Sequence, residues 1–306
     1  MKSRTATMRR TCVLLATLLL GACAQMRTPG TIDLDALKAT RSGDHGAALI
    51  FIPGLSSGPW AWQPMIDRFA KDHVVYALTL AGFDGTAPAG PKPFAAAEAA
   101  LVRLVEQQKI DHPVLIGHSL GATLAIHLAE SRSDLISGVV ALDGLPVFPR
   151  SEDLPPEQRP AYAARVKASL PKDPAVYASS QVAYMASPGG VIDPVVGKRL
   201  AEMSGRSDPA SVAAYLEDDL AADFRPGLPR IKVPVLMLVP YRLEDYANSP
   251  QAFSETDKRN YYAALMKGTP KLQLVTLSPA RHFAMFDQPD QVEDAIRKFL
   301  ATLRTR

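Results

Sequence analysis

Cysteine is almost absent from this chain. Cys12 and Cys23 are the only two in 306 residues, so no disulfide braces anything beyond residue 23. No group of His, Cys and Asp has metal-ligand spacing, and no glycine-rich phosphate loop is present; no metal and no cofactor is expected. Internal repeats and low-complexity tracts are missing as well. The apolar run CVLLATLLL, Cys12 to Leu20, is too short to span a bilayer, which takes roughly 20 residues. A basic excess is also lacking once the start of the chain is set aside. The formal net charge is +3, and Lys2, Arg4, Arg9 and Arg10 stand in residues 1–22 without an acid, so the remainder carries −1 (3 minus 4). Nucleic-acid binding thereby loses its compositional support.

What is there begins with a leader. MKSRTATMRR is basic, and the apolar run behind it has the length and flanks of a secretory signal. The run ends in Leu20-Gly21-Ala22-Cys23, which resembles the lipobox of bacterial lipoproteins. The resemblance implies removal of residues 1–22, acylation of Cys23 at its thiol and new N-terminus, a tether over residues 23–40, and attachment to a membrane. Ala24, rather than Asp, favours by the same resemblance the outer membrane, facing the periplasm. Cleavage would leave 284 residues (306 minus 22), enough for one large core with a modest insertion.

Short apolar runs then alternate with helical patterns. AALIFIP (Ala47–Pro53), VVYALTL (Val74–Leu80), PVLIG (Pro113–Gly117), GVVALDG (Gly138–Gly144), VPVLMLVP (Val233–Pro240) and LQLVTL (Leu272–Leu277) read as buried strands, apolar throughout rather than alternating. Phe94–Gln108 and the stretch after Ser119 read as helices. The last one, from Pro289, puts Val292, Ala295, Ile296, Phe299 and Leu300 on one face. Alternating βα units predict an α/β fold with a mostly parallel, doubly wound sheet over residues 41–306. Residues 145–229 break the alternation. They are rich in Pro, Ala and charge, too long for a loop, and predict a helical cap insertion of short pieces broken by prolines. A solvated linker is the plainer reading, but Tyr162, Val166, Tyr177, Tyr184, Met185 and Tyr215 suit an apolar lid.

The chemistry centres on Gly117-His118-Ser119-Leu120-Gly121. Gly-x-Ser-x-Gly alone is a weak signal, and a glycine-rich turn with an incidental serine would produce it. Here an apolar strand precedes it and a helix follows. That context predicts a strained corner with the Ser119 hydroxyl held above the sheet, where helix N–H groups favour developing negative charge. Gly117 and Gly121 leave room for the crossing strand and helix.

Together with LIFIPGLSSGPWAWQPMIDRFAKDHVVYALTLAGFDGT, this segment resembles the α/β-hydrolase superfamily over nearly all of the chain after the leader. The superfamily's His-Gly is replaced by Pro53-Gly54, which leaves the backbone donors in place. The resemblance implies an oxyanion hole from the N–H groups of Leu55 and Leu120. A serine needs a base. His45, His73 and His112 lie in turns before strands, His118 is in the corner itself, and His127 lies roughly two turns along the helix. His282, in RHFAMFDQP after the last strand, stands where the superfamily places its catalytic histidine. For the acid, the superfamily's usual loop after the penultimate strand offers only late residues, Glu244 and Asp245. Asp143, at the end of the strand after the nucleophile helix, is the favoured choice, Asp245 the next; a turn aspartate is the plain reading of Asp143. Asp287 reads as a helix-entry residue. Many relatives carry two antiparallel strands ahead of the first core strand; TIDLDALKATRSGDHG is short for them, and a trimmed sheet is expected.

These readings give a serine hydrolase acting on small to medium apolar carboxylic esters, anchored by lipid in the bacterial envelope. An aspartate-nucleophile dehalogenase or epoxide hydrolase is disfavoured by serine at 119. A thioesterase, amidase or C–C hydrolase would use the same residues, and a non-catalytic lipoprotein binding an apolar ligand under the cap is the rival from another class.

Overall fold

A computed structural model describes residues 30–247 and 253–303. The expected leader, Cys23 and the first part of the tether lie outside the described residues. No described helix is long and apolar enough to cross a membrane.

The described chain opens with β1 (Thr31–Asp33), β2 (Leu37–Ser42), β3 (Ala48–Ile52), α1 (Gln63–Phe69) and β4 (Val74–Leu80). It continues through α2 (Pro93–Gln107), β5 (Val114–His118), α3 (Leu120–Arg132) and β6 (Gly138–Leu142). Four helices follow without a strand between them: α4 (Arg159–Ser169), α5 (Pro174–Ala186), α6 (Pro194–Ser204) and α7 (Pro209–Ala221). The sheet then resumes with β7 (Val235–Pro240), α8 (Glu255–Leu265), β8 (Leu272–Leu277), α9 (Ala284–Asp287) and α10 (Pro289–Leu303). Eight strands form one sheet in the order β1-β2-β4-β3-β5-β6-β7-β8. The β1/β2 and β2/β4 pairs are antiparallel, and all others are parallel.

Two expectations are corrected at the ends of this sheet. The sheet is not trimmed: β1 and β2 are the antiparallel pair, and the expected tether is sheet from Thr31 onward. Leu37 and Ala39 account for it, because they are fully buried against the α2 side and anchor β2 in register with β4. At the other edge, β8 is half-exposed rather than buried, with Gln273 and Val275 turned outward.

The unbroken apolar runs follow from burial on both faces. Leu49 and Phe51 pack with α1 and α10, while Ile50 and Ile52 pack with α2 and α3. β6 and β7 divide the same way: Val139, Ala141 and Met237 to one side, Val140, Leu142 and Leu238 to the other. The buried face of α10 is the one its period predicts.

The insertion folds as a helical cap, and its prolines start helices rather than break them. Asp173-Pro174, Asp193-Pro194 and Asp208-Pro209 each place an aspartate that accepts backbone N–H bonds ahead of a proline in the first turn. Within the cap α4 packs on α7 and α5 on α6. Its two necks meet at the base, where Val147 and Asp223 form an antiparallel bridge. Buried Arg159 locks that base, donating to the Ser151 and Ala222 carbonyls at 2.8 and 3.2 Å.

Candidate active site

Strand register places the site. His118 in β5 lies opposite Leu142 in β6, so Ser119 and Asp143 are the next residues up on adjacent strands. Backbone bonds extend the ladder past the strand ends, from Ser119 N–H to Leu142 O at 2.9 Å and from Asp143 N–H to Leu238 O at 3.1 Å. Both residues leave the sheet with positive φ, +52° at Ser119 and +48° at Asp143. Such conformations cost a non-glycine residue about 1–3 kcal/mol each and persist only where the surroundings enforce them. At Ser119 the enforcement is close packing. A Cβ on Gly117 would stand 2.3 Å from the Gly121 carbonyl oxygen, and one on Gly121 would stand 2.5 Å from the oxygens of Ile52 and Pro53. The expected corner is therefore the observed one.

His282 arrives from the segment between β8 and α9, and its Nδ1 lies 2.5 Å from Asp143 Oδ2. Tyr262, from α8, donates its hydroxyl to the other carboxylate oxygen. Burial alone would raise the Asp143 carboxyl, but the Lys258 charge, the His282 ring and these hydrogen bonds outweigh it and hold it well below the usual carboxylate range. Because Nδ1 is taken by Asp143, Nε2 is the ring nitrogen left for other chemistry. Ser119, Asp143 and His282 all line one cavity of about 550 Å³ under the cap. Among the described residues no direct hydrogen bond joins the Ser119 hydroxyl to the ring. In unliganded sites such bonds are often long and tighten when substrate is bound.

The other acids are engaged elsewhere. Asp245 accepts from Arg281 at 2.7 and 2.9 Å and from Arg242 at 2.9 Å. Asp287 does more than open a helix: it accepts the backbone N–H groups of Ile192 in the cap and Arg281 beside His282, at 2.9 and 2.8 Å. The histidines set aside in the sequence are likewise occupied. His45, His73 and His112 each pair with the aspartate just before them, and His127 faces Glu98.

Leu55 and Leu120 both line the cavity beside Ser119. Leu120 begins α3, so its N–H has no intrahelical acceptor, and among the described residues the Leu55 N–H takes part in no backbone bond. Gly54 brings the two segments together, since a Cβ there would stand 3.0 Å from the Ser119 Cβ. The next residue in that loop, Ser56, has φ +62° and is held from the cap. Its hydroxyl donates to the Ser204 carbonyl at 3.1 Å and meets the Tyr177 hydroxyl, while Ser207 donates to the Ser56 carbonyl at 3.3 Å.

Several residues that serve the site are not legible in the sequence. Tyr262 belongs to α8, a helix outside the elements expected from the sequence. His118, fully buried, donates from Nε2 to the His282 carbonyl at 3.0 Å. Burial, with His282 nearby, lowers its pKa well below 6.5 and keeps it neutral. Of the proposed lid residues, Tyr177 and Tyr184 line the cavity. Met185 instead packs into the core, and Tyr215 lies under Phe83. Asp219 also faces the cavity. Its signal was present: it stands four residues after Tyr215 and three after Leu216, on the apolar stripe of α7.

A backbone-held serine and an imidazole fixed by a carboxylate, in one cavity that Leu55 and Leu120 also line, form a constellation able to attack a carbonyl carbon. The chain belongs to the alpha/beta hydrolase family, whose model matches residues 49–295. That membership supports a hydrolytic activity. Among curated proteins the chain is similar to the biotin biosynthesis bifunctional protein BioHC of Cellvibrio japonicus, with 25% identity over 258 residues; the match covers 84% of this chain and 48% of that protein. The chain thus spans about half of that relative. It is also similar to the pimeloyl-[acyl-carrier protein] methyl ester esterase of Vibrio vulnificus, with 23% identity over 63% of this chain and 75% of that one. Among solved structures, a thermophilic esterase from Thermogutta terrifontis superposes with a TM-score of 0.67 at 21% identity, covering 90% of this chain and 99% of that one. At that identity the likeness is one of fold.

Proposed function

We propose that the protein is a serine hydrolase of carboxylic esters working through an acyl-enzyme. Ser119 attacks the ester carbonyl while His282 Nε2 takes its proton; the Leu55 and Leu120 N–H groups hold the oxyanion; His282 then returns the proton to the leaving alcohol. Water, deprotonated by the same ring, releases the acid. Asp143 fixes the ring's tautomer and stabilises the imidazolium without taking the proton. The observation that carries this reading is the meeting of Ser119 with the His282–Asp143 pair on one cavity wall. The relatives named as methyl ester esterases agree with ester chemistry. The largely apolar wall, including Leu145, Val147, Phe148 and Val212, suits small to medium acyl groups.

The test is covalent labelling by a fluorophosphonate. Wild-type protein should label at Ser119 and Ser119→Ala should not; equal labelling of both would defeat the assignment. On the sequence of the leader we further propose that Cys23 is lipidated and holds the enzyme at the outer membrane. Radiolabelled palmitate should enter the wild-type protein in a bacterial host and not Cys23→Ser; incorporation into both would reject the anchor.

A further inference from the structure

We propose that Asp219 selects the substrate, favouring esters whose far end carries a hydrogen-bond donor, an ammonium or a hydroxyl, and disfavouring those that end in a second carboxylate. The inference rests on the reading of this cavity as the place of ester cleavage, and it concerns what else the bound molecule must carry.

Among the described residues the cavity wall has two acidic residues, Asp143 and Asp219, and no Lys or Arg. Asp143 is committed to His282 and Tyr262. Asp219 has no such commitment: no described residue donates to its carboxyl or stands near it with opposite charge. Its neighbours on α7 differ in this respect. Glu217 pairs with Lys167 at 2.6 Å, and Asp218 accepts the Phe94 N–H at 3.2 Å. The wall Asp219 shares is mostly apolar and includes Val147, Phe148, Val212 and Leu216. Burial there raises its carboxyl to about 7. A carboxyl without a partner in such surroundings is costly to keep. A ligand that brings a donor to it removes that cost, and one that brings an anion adds to it.

The probes are methyl esters of one chain length differing only at the far end: hexanoic, ω-hydroxyhexanoic, ω-aminohexanoic and adipic (as the monoester). Binding is measured on Ser119→Ala protein, so the readout does not depend on turnover. The ammonium-ended ester should bind more tightly than the carboxylate-ended one. Adding Asp219→Asn, which keeps the shape, should shrink their affinity ratio by about tenfold to a hundredfold, the range expected for a hydrogen bond to a charged group. A ratio unchanged by that substitution, a preference for the carboxylate end, or no binding by any of the four overturns the proposal. The ratio in Ser119→Ala alone tests it even if the double variant does not fold. Persistent fluorophosphonate labelling of Ser119→Ala would sink the nucleophile assignment instead, and would leave the affinity ratio standing.

Discussion

Two aspartates compete for the role of orienting His282, and their surroundings separate them. Asp143 has one oxygen on the ring and the other on Tyr262, at the end of a buried strand. Asp245 spends both oxygens on guanidinium groups. Asp143→Asn should lower kcat by about 10³–10⁴-fold, because the amide favours the wrong ring tautomer. Asp245→Asn should act mainly on stability; a larger kcat loss there than at Asp143 would reverse the assignment. Since the Asp143 pKa is lowered, the carboxylate stays ionised through the working range, and the acid limb of the pH–rate profile does not arise from it. The sequence marks Ser119 through its glycine-flanked corner, a local pattern, while His282 and Asp143 are nominated by resemblance to the superfamily's strand-end positions. It could not reveal Tyr262 as a neighbour of Asp143, or Asp245 as the partner of Arg281, since these pairs lie 119 and 36 residues apart.

Cap and core meet through the segment that carries the imidazole. The His282 N–H donates to Pro188 O at 3.3 Å and the Phe283 N–H to Gly190 O at 3.1 Å, both acceptors lying between α5 and α6. Arg281 reinforces the joint: its guanidinium reaches the carbonyls of Ala186 and Val191, both at 3.1 Å, while gripping Asp245. Arg281→Met should cost roughly 1.5–3 kcal/mol in chemical denaturation, as expected for charge-assisted hydrogen bonds. It should also speed proteolysis of the α5–α6 connection; an unchanged cleavage rate would show that the joint holds without it. Two amphipathic pieces of the insertion are visible in the sequence, EQRPAYAARVKASL for α4 and DPASVAAYLEDDL for α7, but α5 and α6 are left unassigned. Prolines there read as breaks, and only the aspartate before each one marks a start.

For the molecule as a whole, pH acts on stability through buried groups of opposite sign. Glu130, 7% exposed on α3, has an oxygen without a partner, and burial raises its pKa from 4.5 to about 7. The folded state therefore holds a proton that the unfolded state gives up. Glu130 contributes fully near pH 4.5 and progressively less as pH rises through about 7. His118 works the other way: with its folded pKa below 6.5, its contribution is present above that value and is lost as pH falls. The comparison of wild type with Glu130→Gln isolates one of them. From pH 5 to pH 8 the wild-type Tm should fall relative to the variant, by about 2–4 °C for each kcal/mol; a constant difference would remove Glu130 from the account. The parallel sheet itself was legible in the apolar runs, because burial on two faces leaves no polar alternation. Its edges were not. β8 carries an apolar sequence at an exposed edge, and β1 is only three residues long.

Under the proposed mechanism, the order of parts along the chain bears on when hydrolysis becomes possible. The nucleophile and the carboxylate are 24 positions apart (143 minus 119), on neighbouring strands, whereas the imidazole comes 139 positions after the carboxylate. A ribosome therefore finishes the serine corner, Asp143 and the whole cap before it makes the imidazole to which the proposed mechanism gives the serine's proton. Until residue 282 has emerged and docked, the growing polypeptide carries an unarmed hydroxyl. Under the proposed mechanism, hydrolysis waits for residue 282, long after the serine corner has been made.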